Sequence, residues 1–174
     1  DTINGIKVNL LCPVVKSKTA GFSTKLIYEI SNSYFKNFVA EAKEKGKNDS
    51  VYHQLNIRTV FVNSKAGLIS CLMEEKAKFV GEEIRKSYFG VTYKKTDDKA
   101  LSFAEVFPID EANFDEFKLL FSTKADALSK KDFDESQFAI GKDSLYVFVG
   151  GKENGQTKFS ASIQSIEGFI INGK

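Results

Sequence analysis

The chain has 174 residues, with 25 Lys and Arg against 23 Asp and Glu, which gives a formal net charge of +2. This length suits a single domain over residues 1–174, and a hydrophobic fraction of 42% is enough to bury a core. The near balance of charge disfavours nucleic-acid binding, which needs a concentrated basic surface. One His and two Cys cannot build a histidine-rich metal site or a zinc–cysteine cluster, so we expect no metal and no other cofactor.

The first predicted elements are a strand and a long helix. Apolar residues alternate with polar ones from Ile6 to Cys12, which predicts a half-buried strand that ends at Pro13. Apolar residues then recur at helical spacing from Ile27 to Ala42, and Gly46 is placed as the C-cap. We expect this helix to lay its apolar stripe on one face of a sheet.

The middle of the chain, residues 52–93, has the two-residue period of β-structure. Three strands follow one another here, and the cluster of turn residues at 63–67 separates the first two. Strands joined by such short connections form an antiparallel meander. One face of the meander is expected to pack under the helix.

The last part of the chain predicts a second helix and more strands. After a short apolar piece at 101–107, Asn113 and Glu116 have the spacing of a capping box, and helical spacing continues to Leu128. Residues 132–137 are polar and predict a loop, whereas 138–149 predict a hairpin and 159–163 a final strand. The predicted fold class is α+β: strand, long helix, three-strand meander, helix, hairpin and final strand, with the long helix on one face of an antiparallel sheet.

The reactive side chains are few. His53 is the only imidazole, and its apolar position in a strand favours a packed structural histidine over a general base. Cys12 and Cys71 also lie in apolar strand patterns, which predicts two buried thiols or a disulfide between neighbouring strands. Neither pattern indicates a catalytic nucleophile.

Paired carboxylates are the remaining route to catalysis. The adjacent glutamates at 74–75 and at 82–83 should point to opposite faces of a strand, so neither pair can share one site. Asp132 and Asp134 could converge, and they define the alternative of a small carboxylate-dependent, carbohydrate-active hydrolase. No calcium-loop glycine accompanies them, and a solvated acidic loop is the preferred interpretation.

Aromatic residues are more informative, with 16 Phe and 6 Tyr but no Trp. Most fall on inward faces, which indicates a phenylalanine-rich core. Tyr is enriched where one end of a side chain is buried and the other is wet, so Tyr52, Tyr88 and Tyr93 are the first candidates for a binding patch.

The order of elements and several segments carry a family resemblance. The segments are Ile6-Lys7-Val8-Asn9-Leu10 with Pro13, the helix with Ile30 and Phe38, Leu55-Asn56-Ile57-Arg58-Thr59-Val60, Gly67-Leu68-Ile69-Ser70-Cys71, Ser87-Tyr88-Phe89-Gly90-Val91-Thr92-Tyr93, Leu101-Ser102-Phe103-Ala104-Glu105-Val106-Phe107 and Phe138-Ala139-Ile140-Gly141-Lys142-Asp143-Ser144-Leu145-Tyr146-Val147-Phe148. The chain resembles the extracytoplasmic domain shared by lysozyme-sensing anti-sigma factors and some peptidoglycan deacetylases of bacteria. Members commonly carry a Gly-Gly-Ala-His loop before the third meander strand, whereas residues 77–83 here keep one glycine and no histidine.

The resemblance implies a non-enzymatic binding domain of the cell envelope, secreted, periplasmic or membrane-anchored, as in the family's stand-alone members and lipoproteins. Its partner would be a lysozyme-like protein or peptidoglycan, and the altered loop, with Val80, Glu82 and Glu83, is a second candidate contact. The chain opens at Asp1 without Met, so a signal peptide or lipid anchor preceding it is an expectation, and such an anchor would be its only link to a membrane. A structural accessory domain is a further alternative.

Overall fold

The computed structural model describes residues 2–3, 6–11, 20–45, 52–94, 96, 99–121, 125–150 and 155–170. These residues form strands and helices in the order β1 (Thr2–Ile3), β2 (Ile6–Leu11), α1 (Ala20–Glu44), β3 (His53–Lys65), β4 (Leu68–Lys78), β5 (Arg85–Lys94), α2 (Phe103–Val106), α3 (Glu111–Lys118), α4 (Lys130–Asp134), β6 (Gln137–Ile140), β7 (Ser144–Val149), β8 (Thr157–Ser162) and α5 (Ile163–Ile166). A 3-10 turn at Glu167–Phe169 follows. The predicted α+β class is confirmed. Within the described part of the chain, no helix is both long and apolar enough to cross a membrane.

The strands form a five-stranded sheet in the order β1-β2-β3-β4-β5 and a three-stranded sheet in the order β6-β7-β8. The sequence predicts an antiparallel sheet, but one pair of strands in the first sheet is parallel. Strand β2 runs parallel to β3, with Ile6 opposite His53 and Leu11 opposite Arg58. A parallel pair needs a crossover connection, and α1 supplies it. The predicted order of three consecutive strands, β3-β4-β5, is confirmed.

The β3–β4 turn explains why these two strands pair tightly. Ala66 and Gly67 both have positive φ, 51° and 75°. Two central residues with positive φ make a type I′ turn, whose twist matches that of a hairpin. The turn signal in the sequence therefore marks the right place.

The chain divides into two compact units, Asp1–Val60 with Met73–Ser87 (unit 1) and Phe61–Leu72 with Tyr88–Lys174 (unit 2). Both units take parts of β3, β4 and β5, and the single domain stays a prediction. In unit 1, α1 covers one face of the sheet, and Phe38 of the helix stacks on Phe79 at a centroid distance of 4.9 Å. The other buried apolar residues of this core include Ile27, Ala42, Leu55, Ile57, Met73 and Ala77.

Unit 2 has a phenylalanine-rich core, as the composition predicts. Its buried aromatic residues are Phe103, Phe107, Phe114, Phe117, Phe121, Phe133, Phe138 and Phe159. Many of these rings meet edge to face, as Phe103 and Phe138 do at 5.4 Å, an arrangement that adds to the energy of burial. The hairpin β6–β7 and the strand β8 confirm the predicted strands of this region.

The helices of unit 2 differ from their predictions. Helix α3 begins after Asp110, whose carboxylate accepts a hydrogen bond from the backbone of Asn113 at 2.9 Å, so the predicted cap at Asn113 is wrong. The helix ends at Lys118 and does not reach Leu128. Residues 130–134 form α4 where the sequence predicts a loop, because Ser129 and Asp132 build a capping box there.

Candidate functional site

The face of the unit 1 sheet opposite α1 is exposed and polar. Side chains alternate along β2 and β3, so Ile6 and Leu55 are buried on one side whereas Lys7 and Gln54 are exposed on the other. We call the second side the open face, and it consists of Lys7, Asn9, Leu11, Tyr52, Gln54, Asn56, Arg58, Glu74, Lys76, Lys78 and Lys86. It carries five cations and one carboxylate.

Glu74 is the centre of this charge cluster. Its side chain is only 3% exposed, whereas those of Arg58, Lys76 and Lys86 are 54%, 45% and 47% exposed. Arg58 Nε donates to Glu74 Oε1 at 2.8 Å, and Lys86 Nζ lies 2.8 Å from Oε2. Lys76 Nζ is the most distant of the three cations, at 3.5 Å from Oε1.

The cluster keeps Glu74 ionised. Burial raises the pKa of this carboxyl, but hydrogen bonds from Arg58 and Lys86 and the charges of Lys86 and Lys76 outweigh it and lower the pKa from 4.5 to about 2. At neutral pH Glu74 is therefore a carboxylate, contacted by three cationic side chains that are each about half exposed.

The rest of the open face carries amides and exposed apolar side chains. Tyr52 is 46% exposed and Leu11 57% exposed. Asn9 lies opposite Asn56, and Gln54 precedes Asn56 by two residues on β3, so the side chains of Gln54 and Asn56 share a face. The Oδ1 atom of Asn56 is buried and accepts no hydrogen bond from the described residues, so Asn9 and Gln54 carry the exposed amides. Amide groups bind hydroxyls as donors and as acceptors, so this surface is suited to a polar, uncharged ligand group beside an anionic one.

The other two candidate tyrosines belong to unit 2. Tyr88 is half-buried and stacks on Phe148 at 5.0 Å, and the side-chain amide of Gln156 bonds both its backbone N–H, at 2.7 Å, and its carbonyl, at 2.9 Å. Tyr93 is fully buried. A fully buried ring cannot contact a ligand at the surface, so Tyr93 does not line a binding patch, whereas the roles of Tyr52 and Tyr88 stay predictions.

The predicted loop site lies between β4 and β5 and is a fixed turn. Glu82 N–H donates to the Phe79 carbonyl at 3.1 Å around Gly81, whose φ is 80°, as a type II turn requires. The neighbouring Val80 is half-buried, and its N–H donates to His53 Nδ1 at 3.3 Å. Glu82 pairs with Lys45, the residue that follows α1, and Glu83 is exposed.

Of the side chains considered for catalysis, His53 and Cys71 are buried in strands. His53 is 3% exposed and meets Phe79 edge to face at 5.7 Å, as a packed histidine should. Cys71 is buried in β4, and Cys12 lies outside the described residues, so their state stays a prediction. Among the described residues, no group of three or more His, Cys, Asp or Glu could hold a metal ion.

The carboxylate pairs are also positioned by local contacts. Glu75 points to the face opposite Glu74, as predicted, where it accepts a 2.6 Å hydrogen bond from Ser87. Asp132 accepts hydrogen bonds from the backbone and hydroxyl of Ser129, and these bonds lower its pKa. Asp134 lies 2.7 Å from Lys130. These contacts do not support the hydrolase alternative, which needs both aspartates in one pocket.

Sequence reasoning missed the three cations around Glu74. The available signal was the alternation of charged residues with apolar ones at positions 58, 74, 76 and 86. That signal places each charge on a face of its own strand, but it does not show which charges of different strands meet.

Comparison with solved structures finds neighbours of low sequence identity. No family model matches the chain, and no curated protein matches it. The chain is similar to a solved DUF3298-family protein from Bacteroides fragilis, with 13% identity, a TM-score of 0.46, and coverage of 88% of this chain and 73% of that one. A DUF3298-family protein from Pseudomonas aeruginosa has 12% identity, a TM-score of 0.43, and coverage of 70% of this chain and 63% of that one.

Proposed function

We propose that the chain is a non-enzymatic binding domain of the bacterial cell envelope and that it recognises cell-wall glycan through the open face. The observation that supports this most directly is the exposed combination of Tyr52, the amides of Asn9 and Gln54, and several cationic side chains on one face of the sheet. Extracytoplasmic location belongs to the same proposal, because this ligand is found outside the cytoplasm.

The chemistry of a wall glycan matches this surface. Sugar hydroxyls and N-acetyl groups exchange hydrogen bonds with side-chain amides, and an exposed tyrosine ring offers an apolar surface and a polar hydroxyl to a sugar. Acidic groups on the glycan would lie near the cations around Glu74. An uncovered sheet face also lets an extended polymer bind without a closed pocket.

The alternative partner is a protein such as lysozyme, bound at the β4–β5 turn. Ile84 is 61% exposed there and follows the exposed Glu83 directly. An apolar side chain beside an acidic one suits a protein contact with a basic rim. This surface is distinct from the open face, so the two partners can be told apart by mutation.

Co-sedimentation with insoluble peptidoglycan tests the proposal. We expect the protein to sediment with the glycan, and Tyr52→Ala to weaken binding at least 5-fold, on the order of 1 kcal/mol. Tyr28→Ala is the matched control, because Tyr28 is 57% exposed on α1 of the same unit. A protein that stays in the supernatant at every glycan concentration would overturn the proposal.

The same variants separate the alternative. If the protein binds immobilised lysozyme, and Ile84→Ala weakens that binding whereas Tyr52→Ala does not, the partner is a protein at the β4–β5 turn. If Tyr52→Ala and Tyr28→Ala weaken the binding of peptidoglycan equally, recognition through the open face is also contradicted.

A further inference from the structure

Strand β8 is the last strand of the three-stranded sheet, so one of its edges has no neighbouring strand among the described residues. On its other edge β8 pairs with β7, and Ser144 lies opposite Ser162. The same register continues past the end of the strand, where the N–H of Ile163 donates to the Asp143 carbonyl at 3.1 Å. This bond shows which residues of β8 are bonded to β7 and which are not.

Backbone hydrogen bonds alternate along an antiparallel pair, so every second residue bonds to the same neighbouring strand. Ile163 bonds to the β7 side, and therefore so does Ala161, two residues earlier. The backbone groups of Lys158, Ser160 and Ser162 consequently point away from β7. All three residues are exposed. Strand β8 thus presents a row of hydrogen-bonding groups to solvent, which is a template for another strand.

The side chains of β8 leave this edge accessible. Edge strands are commonly protected by a lysine, a proline or a bulge. Strand β8 has no proline, and the Nζ atom of its one lysine, Lys158, lies 4.5 Å from the centroid of the Tyr146 ring. Because Tyr146 projects from the face of the sheet, the ammonium group lies over that face and away from the edge. The two serines carry small hydroxyl side chains, so the edge is open to a second strand.

We propose that the partner of this edge is β8 of a second copy of the chain, paired antiparallel about a two-fold axis at Ser160. Hydrogen bonds then join the two Ser160 residues, and each Ser162 N–H donates to the partner's Lys158 carbonyl. The two three-stranded sheets become one continuous sheet, and a contact of this symmetry closes as a dimer. The proposal is independent of the proposed function, because β8 belongs to unit 2 whereas the open face belongs to unit 1.

The charges near β8 favour a second copy in this register. Lys158 lies opposite the partner's Ser162, whereas a register centred on Lys158 would place two lysines opposite each other, which is destabilising. A register centred on Ser162 would lose most of the strand, because α5 begins at Ile163. The exposed Asp143 adjoins β7 at the level of Ser162, about 10 Å from the partner's Lys158 across two strand spacings, and attracts that lysine.

Sedimentation velocity of the full chain, at concentrations up to about 1 mM, measures the association. We expect the mean mass to rise with concentration from 19.4 kDa towards twice that value. Ser160→Pro removes an outward N–H and leaves the bonds between β7 and β8 in place, so it should weaken the dimer at least about 10-fold. Circular dichroism checks that this variant keeps its fold. A wild-type chain that stays monomeric at every concentration would overturn the proposal.

Charge changes at Ser162 test the register. Ser162→Asp places a carboxylate opposite the partner's Lys158 and should strengthen the dimer at least about 3-fold at low ionic strength, whereas Ser162→Lys should weaken it by a similar factor. Ser64→Asp and Ser64→Lys make the same changes at an exposed position of β3 and are the matched controls. If Ser162→Asp and Ser162→Lys have the same effect, or if neither differs from its control at Ser64, the proposed pairing is wrong.

A disulfide test identifies the contact directly and holds even if Ser160→Pro does not fold. In the proposed register the two Ser160 Cα atoms lie about 5.5 Å apart, a distance that a disulfide can span. Ser160→Cys should therefore form a covalent dimer on mild oxidation, and peptide mass analysis should find position 160 linked to position 160. Thr157→Cys, exposed on the same strand, should link far less, because it does not face its own counterpart. Equal yields from the two variants would contradict pairing about Ser160.

Discussion

The backbone N–H of Ile140 donates a hydrogen bond to the buried hydroxyl of Ser70, 2.8 Å away. The Ser70 hydroxyl also lies 2.8 Å from that of Thr92. Asn63 Nδ2 donates to the carbonyls of Ile140 and Gly141 at 3.2 and 2.8 Å. Side chains of β3 and β4 thus bond the backbone at the end of strand β6, so its polar groups stay satisfied inside unit 2.

Ser70→Ala should therefore destabilise the protein by about 1–3 kcal/mol, because it leaves a buried N–H without its acceptor. The Ile140 amide should also exchange with solvent faster than in the wild type. Ser160→Ala on β8 is the control, because Ser160 is exposed. Urea unfolding and hydrogen exchange check both effects, and unchanged protection of Ile140 in Ser70→Ala would contradict the assignment.

The Glu74 cluster predicts a pH-dependent stability. The folded pKa of Glu74, about 2, lies below its ordinary value of 4.5, so the ionised form favours the folded state. This contribution is complete above pH 4.5 and is lost as the pH falls towards 2. It amounts to about 1–3 kcal/mol once solvent screening of the half-exposed cations is allowed for.

Glu74→Gln should accordingly be less stable than the wild type at pH 7 and should approach it in stability near pH 2. Urea unfolding at both pH values measures the difference. Glu116→Gln, an exposed carboxylate of α3, should show no such change. If Glu74→Gln loses the same unfolding free energy relative to the wild type at both pH values, Glu74 acts through packing and not through its charge.

Much of unit 1 could be predicted from the sequence because its signals are local. The helical stripe from Ile27 to Ala42 and the alternation along β3 each follow from one segment of chain, and both agree with the observed burial. The parallel pairing of β2 with β3 could not be predicted in this way. It depends on how a 25-residue helix returns the chain to the sheet.

The short helices of unit 2 show another reason why a sequence prediction can fail. Helices α2 and α4 have four and five residues, too few to display a helical period, so only their caps identify them. Both caps are visible in the sequence, as Ser102 with Glu105 and Ser129 with Asp132, but no apolar stripe accompanies them. The site has the same limit, since Glu74 meets its cations only after three strands pair.

Gly90 is predicted to be essential for the packing of β5 against β6. A Cβ atom added at Gly90 would lie 1.6 Å from the carbonyl oxygen of Phe138, which is backbone and cannot move aside. Gly90→Ala should therefore lose at least about 2 kcal/mol of unfolding free energy. Gly168→Ala, where an added Cβ meets nothing within 4 Å, should change it by less than about 0.5 kcal/mol. Thermal and urea unfolding measure the stability of both variants. Equal stability of Gly90→Ala and Gly168→Ala would contradict the close approach of β5 and β6 at Gly90.

The N-terminus of α3 allows the sequence prediction and the structure to be tested against each other. The structure places Asp110 at the N-cap, with its carboxylate accepting from the Asn113 N–H at 2.9 Å, whereas the sequence pattern predicts a cap at Asn113 with Glu116. Asp110→Ala should cost about 1 kcal/mol of unfolding free energy, because an N–H of the first turn loses its partner. Glu116→Ala should be nearly neutral, since Glu116 lies on the exposed side of the helix. Urea unfolding of both variants measures the two costs, and a larger loss for Glu116→Ala would favour the cap at Asn113.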